Sequence, residues 1–332
     1  MLREDQPPRS RCPLTSASPE RRAHGGNGAR LAEELGLDPA SVLDLSASLC
    51  PVAPDPTATV QRHLGAVGRY PDPERATAVL AEAMAVQPEH LLLTNGGAEA
   101  IALTGAVLGG TVEEPDFSLY PRSGGPLWRS NPNNPLGTLA PAGAKAGVWD
   151  EAFWPLATGT WTRGDHRQGS VVVGSLTKLL ACPGLRLGYV LCADDALMWR
   201  IRQRQPEWSV NGPAADALAD LLRPVDLPTW SSQTAALREQ LADLLRSHEL
   251  AVRAGHGPWV LVDRSGSLQA KLLTEGIVVR DCASFGLDGT VRIAVPRPDQ
   301  FGHLERALRR HCGTHGEPRA GTPDADTSGA AL

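Results

Sequence analysis

The residues with the clearest chemical potential surround Lys178, in the run GSLTK at positions 174–178. This run follows three valines at 171–173, which predict a short buried strand. Burial lowers the pKa of a lysine and favours a neutral amine that can form a Schiff base with a carbonyl. A surface lysine that only ends a strand is the alternative. The composition favours the nucleophile, because the 332 residues include only three lysines, at 145, 178 and 271.

Two further motifs lie at the ends of predicted strands. Residues 95–99 read NGGAE between a predicted strand and a predicted helix. Backbone amides at such a helix start can close on a phosphate, although an ordinary strand-to-helix turn uses the same residues. Asp150 ends the predicted strand 147–150 and begins the run DEAF. It therefore lies at the carboxyl edge, where α/β sheets bind ligands.

Two proline-containing runs are predicted to be irregular. Residues 131–137 read NPNNPLG, in which two prolines fix the backbone and three amide side chains can hydrogen-bond a bound molecule. Residues 70–73 read YPDP and predict a turn before a helix. The run PGLRLG at 183–188 follows the lysine loop and supplies Arg186.

Short apolar strands alternate with helical patterns, which predicts an α/β fold. Helices are expected over 30–37, 57–67, 75–86 and 96–108, and strands over 90–94, 147–150, 171–173 and 187–192. The pattern from 194 to about 254 is helical, with breaks near 206–212 and 224–228. The last part of the chain predicts a small α+β domain. Its strands are expected over 259–262, 277–280 and 291–295, and its helices over 267–275 and 299–309.

The chain is expected to divide into five parts. Residues 1–22 and 313–332 are polar and rich in Pro, Ser, Gly and Thr, which predicts disordered tails. Residues 23–55 are expected to be an N-terminal arm that contacts substrate, 56–225 a large domain, and 226–312 a small C-terminal domain.

The overall composition indicates a soluble cytoplasmic enzyme. The net charge of −5 gives no electrostatic basis for binding nucleic acid or an anionic membrane. No apolar run approaches the roughly 20 residues that span a bilayer, and the N-terminus does not resemble a signal peptide. The six cysteines show no metal-ligand spacing, which predicts reduced thiols and no metal site.

Taken in order, these motifs resemble the class I/II aminotransferase family of pyridoxal-phosphate enzymes. That resemblance implies fold type I, with a mostly parallel seven-stranded-type sheet. It implies that Lys178 binds pyridoxal 5'-phosphate covalently and later moves the α-proton. Asp150 would pair with the pyridinium nitrogen, Asn134 would hydrogen-bond the phenolic oxygen, and Phe117 would stack on the ring.

The same resemblance assigns the remaining contacts. The cofactor phosphate would be held by Gly97, Ala98, Ser175 and Arg186. Tyr70 would reach the phosphate of a neighbouring subunit, because members of this family work as homodimers with shared sites. The residues implied to contact substrate are His24, Gly25, Ser48, Asn134, Arg280 and Arg292, of which Arg292 would bind the α-carboxylate.

Within the family, three segments are similar to those of threonine-phosphate decarboxylases. They are HGGN at 24–27, DLSAS at 44–48 and RDCASFGL at 280–287. The resemblance implies decarboxylation of L-threonine O-3-phosphate, a phosphorylated amino acid, for cobalamin biosynthesis. A second arginine, Arg280, suits a substrate that carries a phosphate as well as a carboxylate. An aminotransferase of the histidinol-phosphate type and a non-catalytic family member are the alternatives.

The sequence departs from the family pattern in three ways. Phe153 stands where a tyrosine is usual, which removes one hydrogen bond to the ring oxygen. Ser48 and Cys50 stand where the family has asparagines. The intervals from Phe117 to Asn131 and from Gly137 to Asp150 are short, which predicts the loss of one strand and its covering helix from the large sheet. We expect an active, minimised enzyme.

Overall fold

The computed structural model describes residues 25, 26 and 28–312. The two predicted tails and His24 lie outside the described residues. The helices are α1 (Gly28–Leu35), α2 (Thr57–Arg62), α3 (Glu74–Met84), α4 (Gly96–Leu108), α5 (Trp154–Thr158), α6 (Leu176–Leu179), α7 (Asp195–Arg202), α8 (Gly212–Leu222), α9 (Leu227–Ser247), α10 (Leu268–Thr274) and α11 (Phe301–His311). The strands are β1 (Leu43–Asp44), β2 (Leu91–Asn95), β3 (Thr111–Val112), β4 (Leu127–Ser130), β5 (Val148–Asp150), β6 (Val171–Ser175), β7 (Leu187–Leu191), β8 (Ala251–Ala254), β9 (Trp259–Asp263), β10 (Ile277–Val278), β11 (Arg280–Asp281) and β12 (Val291–Ala294).

A mixed sheet forms the centre of the α/β fold. In the described part of the chain it has six strands, in the order β2-β7-β6-β5-β4-β3. The strands β3 to β6 run parallel, whereas β7 is antiparallel to both of its neighbours. Neighbouring residues of one strand enter two different hydrophobic clusters, as Val172 and Val173 do in β6. Because side chains alternate across a strand, this sheet has an apolar core on each face.

A second sheet carries the last part of the fold. It is antiparallel, with the order β11-β12-β9-β8. Its core includes Leu241, Val260, Ile293 and Leu304. The strand β1 of the N-terminal segment pairs in parallel with β10, with Leu43 opposite Ile277. This pairing fixes the residues that follow β1 beside the second sheet.

The shortened intervals leave the central sheet one strand short, as the sequence predicts. Its described part has six strands where a seven-stranded-type sheet is expected. A strand, β4, still lies between Phe117 and Asn131 and pairs with β3 and β5. The buried indole of Trp128 anchors β4, and its Nε1 donates to the carbonyl of Gly109. The residues 113–126 and 131–147, all of which are described, contain no helix.

The predicted helical pattern up to residue 254 extends too far. Three helices, α7, α8 and α9, do form, with breaks where proline predicts them. However, α9 ends at Ser247, and Glu249 adopts a left-handed backbone with φ of 59°. The residues of β8 then pair with β9, where Arg253 and Asp263 form an ion pair. Edge pairing and this ion pair outweigh the weak local preference for a helix.

Within the described residues, no helix has both the length and the apolar character needed to cross a membrane.

Candidate active site

A cavity of about 630 Å³ lies between the carboxyl edge of the central sheet and the second sheet. Most of the residues that the sequence singles out line this cavity. They are Gly25, Ser48, Gly97, Ala98, Phe117, Asn134, Asp150, Ser175, Lys178, Arg186, Arg280 and Arg292. Residues that are distant in the sequence therefore meet in one site. Tyr70 is not among the described residues that line this cavity.

Lys178 enters the cavity from α6, the short helix that begins directly after β6. The lysine is half-buried, and its carbonyl accepts a hydrogen bond from the Cys50 amide across 2.9 Å. Burial lowers the pKa of Lys178 to about 8, and the charges of Arg292 and Arg186 act in the same direction. A substantial fraction of this amine is therefore neutral and nucleophilic near pH 8.

Asp150 lies at the end of β5 and is buried. Its Oδ2 accepts from the Tyr120 hydroxyl at 2.8 Å, and its Oδ1 accepts from the Ala152 amide at 2.9 Å. Burial raises the pKa of Asp150, while these two donors and the charge of Lys178 act to lower it. The two donors hold the carboxylate in one orientation toward the cavity.

The start of α4 forms an anion cradle with the end of β6. A Cβ on Gly96, whose φ is +77°, would lie 2.5 Å from Nη2 of Arg186, so only glycine permits this approach. The hydroxyls of Ser175 and Thr177 are 2.7 Å apart. Amides at a helix start, two hydroxyls and a guanidinium are the donors that a phosphate dianion requires.

Two arginines occupy the opposite side of the cavity. Arg280 of β11 and Arg292 of β12 are register partners across the antiparallel pair, and both are buried. Like charges directly opposite each other destabilise a sheet. Burial lowers the pKa of Arg292 to about 10, and the neighbouring charge of Arg280 contributes to the decrease. The arrangement therefore holds positive charge in the cavity at a cost in stability.

Each arginine is oriented by neighbours. Nη1 of Arg292 donates to Oδ1 of Asn134 at 2.5 Å, and its Cζ lies 5.1 Å from the ring centroid of Trp259. Nη2 of Arg280 donates to the Ser284 hydroxyl at 2.8 Å. Among the described residues, Nε of Arg292 has no hydrogen-bond partner. This buried donor is available to a bound anion.

The N-terminal segment is fixed over the cavity by Asp44. Its Oδ2 accepts from the Gly28 amide at 3.0 Å, and its Oδ1 accepts from the hydroxyl of Ser46 at 2.5 Å. The Ser46 hydroxyl oxygen in turn accepts from the Gly26 amide at 2.8 Å. A Cβ on Gly25 would lie 2.4 Å from the Ser46 carbonyl oxygen, so the backbone requires glycine there.

The positions that depart from the family pattern have distinct environments. Phe153 packs edge-on against Trp259, with ring centroids 4.7 Å apart, and belongs to an apolar cluster with Phe285. Ser48 is buried at the cavity, and its hydroxyl has no partner among the described residues. Cys50 instead packs in the main core.

Several residues in or beside the cavity were given no role of their own from the sequence: Asp44, Ser46, Asp116, Tyr120, Ser130 and Thr177. Tyr120 follows Phe117 by three residues, and Thr177 precedes Lys178, so their proximity to motif residues was a usable signal. The roles of Asp116 and Ser130 depend on contacts between different segments, which no local pattern reveals.

The donor set fits pyridoxal phosphate. The cradle at Gly96, Gly97 and Arg186 suits a phosphate, and the amine of Lys178 suits an aldehyde. The acceptor-only carboxylate of Asp150 suits a protonated ring nitrogen. This fit follows from the chemistry and burial of the groups that line one cavity.

Comparison with known proteins gives matches over most of the chain. The family model for aminotransferase class I and II matches residues 125–309. Threonine-phosphate decarboxylase of Salmonella typhimurium is 31% identical, in an alignment covering 86% of this chain and 96% of that protein. Histidinol-phosphate aminotransferase 2 of Pseudomonas aeruginosa is 26% identical, covering 84% and 91% respectively. A crystal structure of histidinol-phosphate aminotransferase from Sinorhizobium meliloti in complex with pyridoxal-5'-phosphate has a TM-score of 0.71 at 16% identity, covering 90% of this chain and 97% of that chain.

Proposed function

Because the chain belongs to the aminotransferase class I and II family, whose members use pyridoxal 5'-phosphate, we propose that it decarboxylates L-threonine O-3-phosphate. The products are carbon dioxide and (R)-1-aminopropan-2-yl phosphate, the amino-alcohol phosphate of the cobalamin side chain. The 31% identity to a threonine-phosphate decarboxylase, over 96% of that protein, supports this choice.

The observation that carries the proposal is the buried pair of arginines on β11 and β12. Threonine phosphate brings both a carboxylate and a phosphate, so it can neutralise Arg292 and Arg280 at the same time. Histidinol phosphate carries a phosphate and no carboxylate, but the glutamate used by such an aminotransferase carries two carboxylates. The arginine pair therefore favours a substrate with two anionic groups, and the 31% identity to a threonine-phosphate decarboxylase favours threonine phosphate among such substrates.

The cofactor would be held by residues that the cavity brings together. Lys178 would provide the covalent attachment, Asp150 the partner of the ring nitrogen, and Asn134 and Phe117 further contacts to the ring. Gly97, Ala98, Ser175 and Arg186 would hold the phosphate. When bound, pyridoxal phosphate supplies an electron-withdrawing ring that accepts the electron pair released when a bond to the substrate α-carbon breaks.

The chain's own residues would select which bond breaks. Arg292, held by Asn134, would fix the carboxylate so that the bond from the α-carbon to the carboxylate is the one aligned for cleavage. After carbon dioxide leaves, Nζ of Lys178 would deliver a proton to the α-carbon. In an aminotransferase the same Nζ would instead remove the α-proton.

We further propose that the protein works as a homodimer. Tyr70 is 76% exposed and its ring lies 4.6 Å from that of Trp208, which is 58% exposed. Val67 and Leu64 are also exposed nearby in the sequence. Large exposed apolar side chains of this kind favour an interface, and Tyr70 would reach the site of a second copy.

The test is a product assay on the purified, cofactor-loaded protein. Threonine phosphate is expected to give carbon dioxide and aminopropanol phosphate in equal amounts. Histidinol phosphate with 2-oxoglutarate, which tests the aminotransferase alternative, is expected to give no glutamate. Formation of glutamate without carbon dioxide would overturn the proposal.

A second measurement tests whether Lys178 binds the cofactor covalently, which separates a catalyst of this family from a non-catalytic member. The native protein is expected to show the visible or near-ultraviolet absorbance of covalently bound cofactor, and Lys178→Ala is expected to lose it. Lys145→Ala changes an exposed lysine and is the matched control. A native protein without this band, and unchanged by Lys178→Ala, would instead indicate a non-catalytic family member.

A further inference from the structure

The connection between β3 and β4 carries Phe117 into the cavity, yet residues 113–126, all described, form no helix. A loop of this kind needs other contacts to hold a ring in one place. Asp116 precedes Phe117 and is only 3% exposed. A carboxylate buried to this degree is costly unless several donors satisfy it.

Three donors from two segments satisfy the carboxylate of Asp116. Oδ1 accepts from the Phe117 amide at 2.8 Å and also from the Ser130 hydroxyl. Oδ2 accepts from the Ser130 amide at 3.1 Å. Since Ser130 is the last residue of β4, Asp116 ties the loop to the end of this strand. An ionised carboxylate, which only accepts, is the form that suits three donors.

The network continues from Ser130 toward the substrate side of the cavity. The Ser130 hydroxyl donates its single hydrogen to Asp116, so its oxygen is left to accept from the backbone amide of Asn134 at 2.8 Å. Oδ1 of Asn134 then accepts from Nη1 of Arg292. Asp116 is thus hydrogen-bonded directly to the Phe117 backbone. The Ser130 hydroxyl links Asp116 to the Asn134 backbone, and the Asn134 side chain continues the network to Arg292.

We propose that Asp116 is a positioning residue, whose buried carboxylate fixes Phe117 and Asn134 relative to each other at the cavity. It does not line the cavity itself, so it acts through these two residues. Burial raises the pKa of Asp116 to about 6, and the bonds from Ser130 and Phe117 oppose this increase. The inference rests on the family's cofactor and is independent of which substrate is used.

The test compares Asp116→Asn, Ser130→Ala and the control Glu113→Gln. Glu113 is an exposed acid on the same loop and pairs with Arg129 of β4, whereas Asp116 bonds to Ser130 of that strand. Amide hydrogen exchange is measured by NMR on the cofactor-free protein, and the Kd for pyridoxal phosphate by equilibrium titration. Melting temperatures are recorded for each variant.

Asp116→Asn is expected to speed hydrogen exchange about tenfold or more at the backbone amides of Phe117 and Asn134. Ser130→Ala is expected to speed exchange at the backbone amide of Asn134 alone. The Kd for pyridoxal phosphate is expected to rise roughly tenfold in Asp116→Asn, of the order that one hydrogen bond to a charged group supplies. The double variant should show no further rise beyond the larger single effect, because both changes break one path. Glu113→Gln should match the native protein.

A purely structural role would lower the melting temperature while leaving the Kd at its native value, and this result would overturn the inference. Unchanged exchange at Asn134 in Asp116→Asn would do the same. If Asp116→Asn does not fold, the test is made with Ser130→Ala. A native Kd for pyridoxal phosphate and native exchange at the Asn134 backbone amide in Ser130→Ala would then reject the proposal. Hydrogen exchange in the cofactor-free protein and the Kd for pyridoxal phosphate are measured without substrate. A failure of the proposal for Asp116 is therefore distinguishable from a failure of the decarboxylase proposal.

Discussion

Tyr120 donates its hydroxyl hydrogen to Oδ2 of Asp150 across 2.8 Å, within the buried interior beside the central sheet. The tyrosine ring is held by Trp128 and Phe117, with centroids 5.4 and 5.7 Å away. The residue that we expect to control the ring nitrogen is therefore oriented by the same loop that carries Phe117. A change at Tyr120 should affect chemistry more than substrate affinity.

We predict that Tyr120→Phe lowers kcat about tenfold and leaves KM nearly unchanged. The ring still packs, but a buried carboxylate loses one of its donors, at a cost of roughly 1.5–3 kcal/mol. Steady-state kinetics measure the effect. Tyr189→Phe is the control, because Tyr189 is also buried in the central sheet and its ring lies against Gly174. A native kcat in Tyr120→Phe would show that this bond does not matter.

The pKa of Lys178 predicts its reactivity as a function of pH. Burial lowers that pKa to about 8, so in the cofactor-free protein labelling by an amine reagent should have its midpoint near pH 8. Between pH 8 and the ordinary lysine value, the unfolded chain binds more protons at this residue than the folded protein. The contribution of Lys178 to the free energy of unfolding therefore rises with pH across that window.

Mass spectrometry of the labelled peptides tests this prediction. Lys145 and Lys271 are exposed and serve as internal references in the same sample. Equal midpoints for all three lysines would contradict the proposed environment of Lys178.

We predict that Arg280→Ala raises KM at least tenfold for threonine phosphate and much less for threonine. The arginine is expected to bind the phosphate, and a charged hydrogen-bonded pair is worth more than 1 kcal/mol. Removal of one of two like charges should also leave the melting temperature of the cofactor-free protein unchanged or higher. Arg306→Ala, in the exposed part of α11, is the control. Equal increases in KM for both substrates would argue against a phosphate contact.

Asp44→Asn is predicted to loosen the N-terminal segment. Asp44 accepts from Gly28 and from Ser46, and an amide cannot accept all of these bonds in the same geometry. KM for threonine phosphate should rise several-fold, and limited proteolysis should cut within 25–36 sooner. The control is Asp38→Asn, which changes an exposed cap of a short turn. Native cleavage rates in Asp44→Asn would refute the predicted role.

The sequence predicted the elements around Lys178 well, because the strands 91–95, 148–150, 171–175 and 187–191 are short apolar runs between clear turns. It also identified the family, and twelve of the fourteen site residues that it singled out line the cavity. It could not place Arg280 opposite Arg292, because strand register depends on pairing between segments. For the same reason it missed β8, which is defined by its pairing with β9, and the bonds of Asp116.

The most direct test of the proposed function asks which bond to the α-carbon breaks. Threonine phosphate labelled with ¹³C in its carboxylate is incubated with the cofactor-loaded protein in D₂O. We expect labelled carbon dioxide in a one-to-one ratio with aminopropanol phosphate that keeps its original α-hydrogen and gains one deuterium at that carbon. Loss of the α-hydrogen to solvent, with the labelled carboxylate retained, would contradict decarboxylation and indicate aminotransferase chemistry.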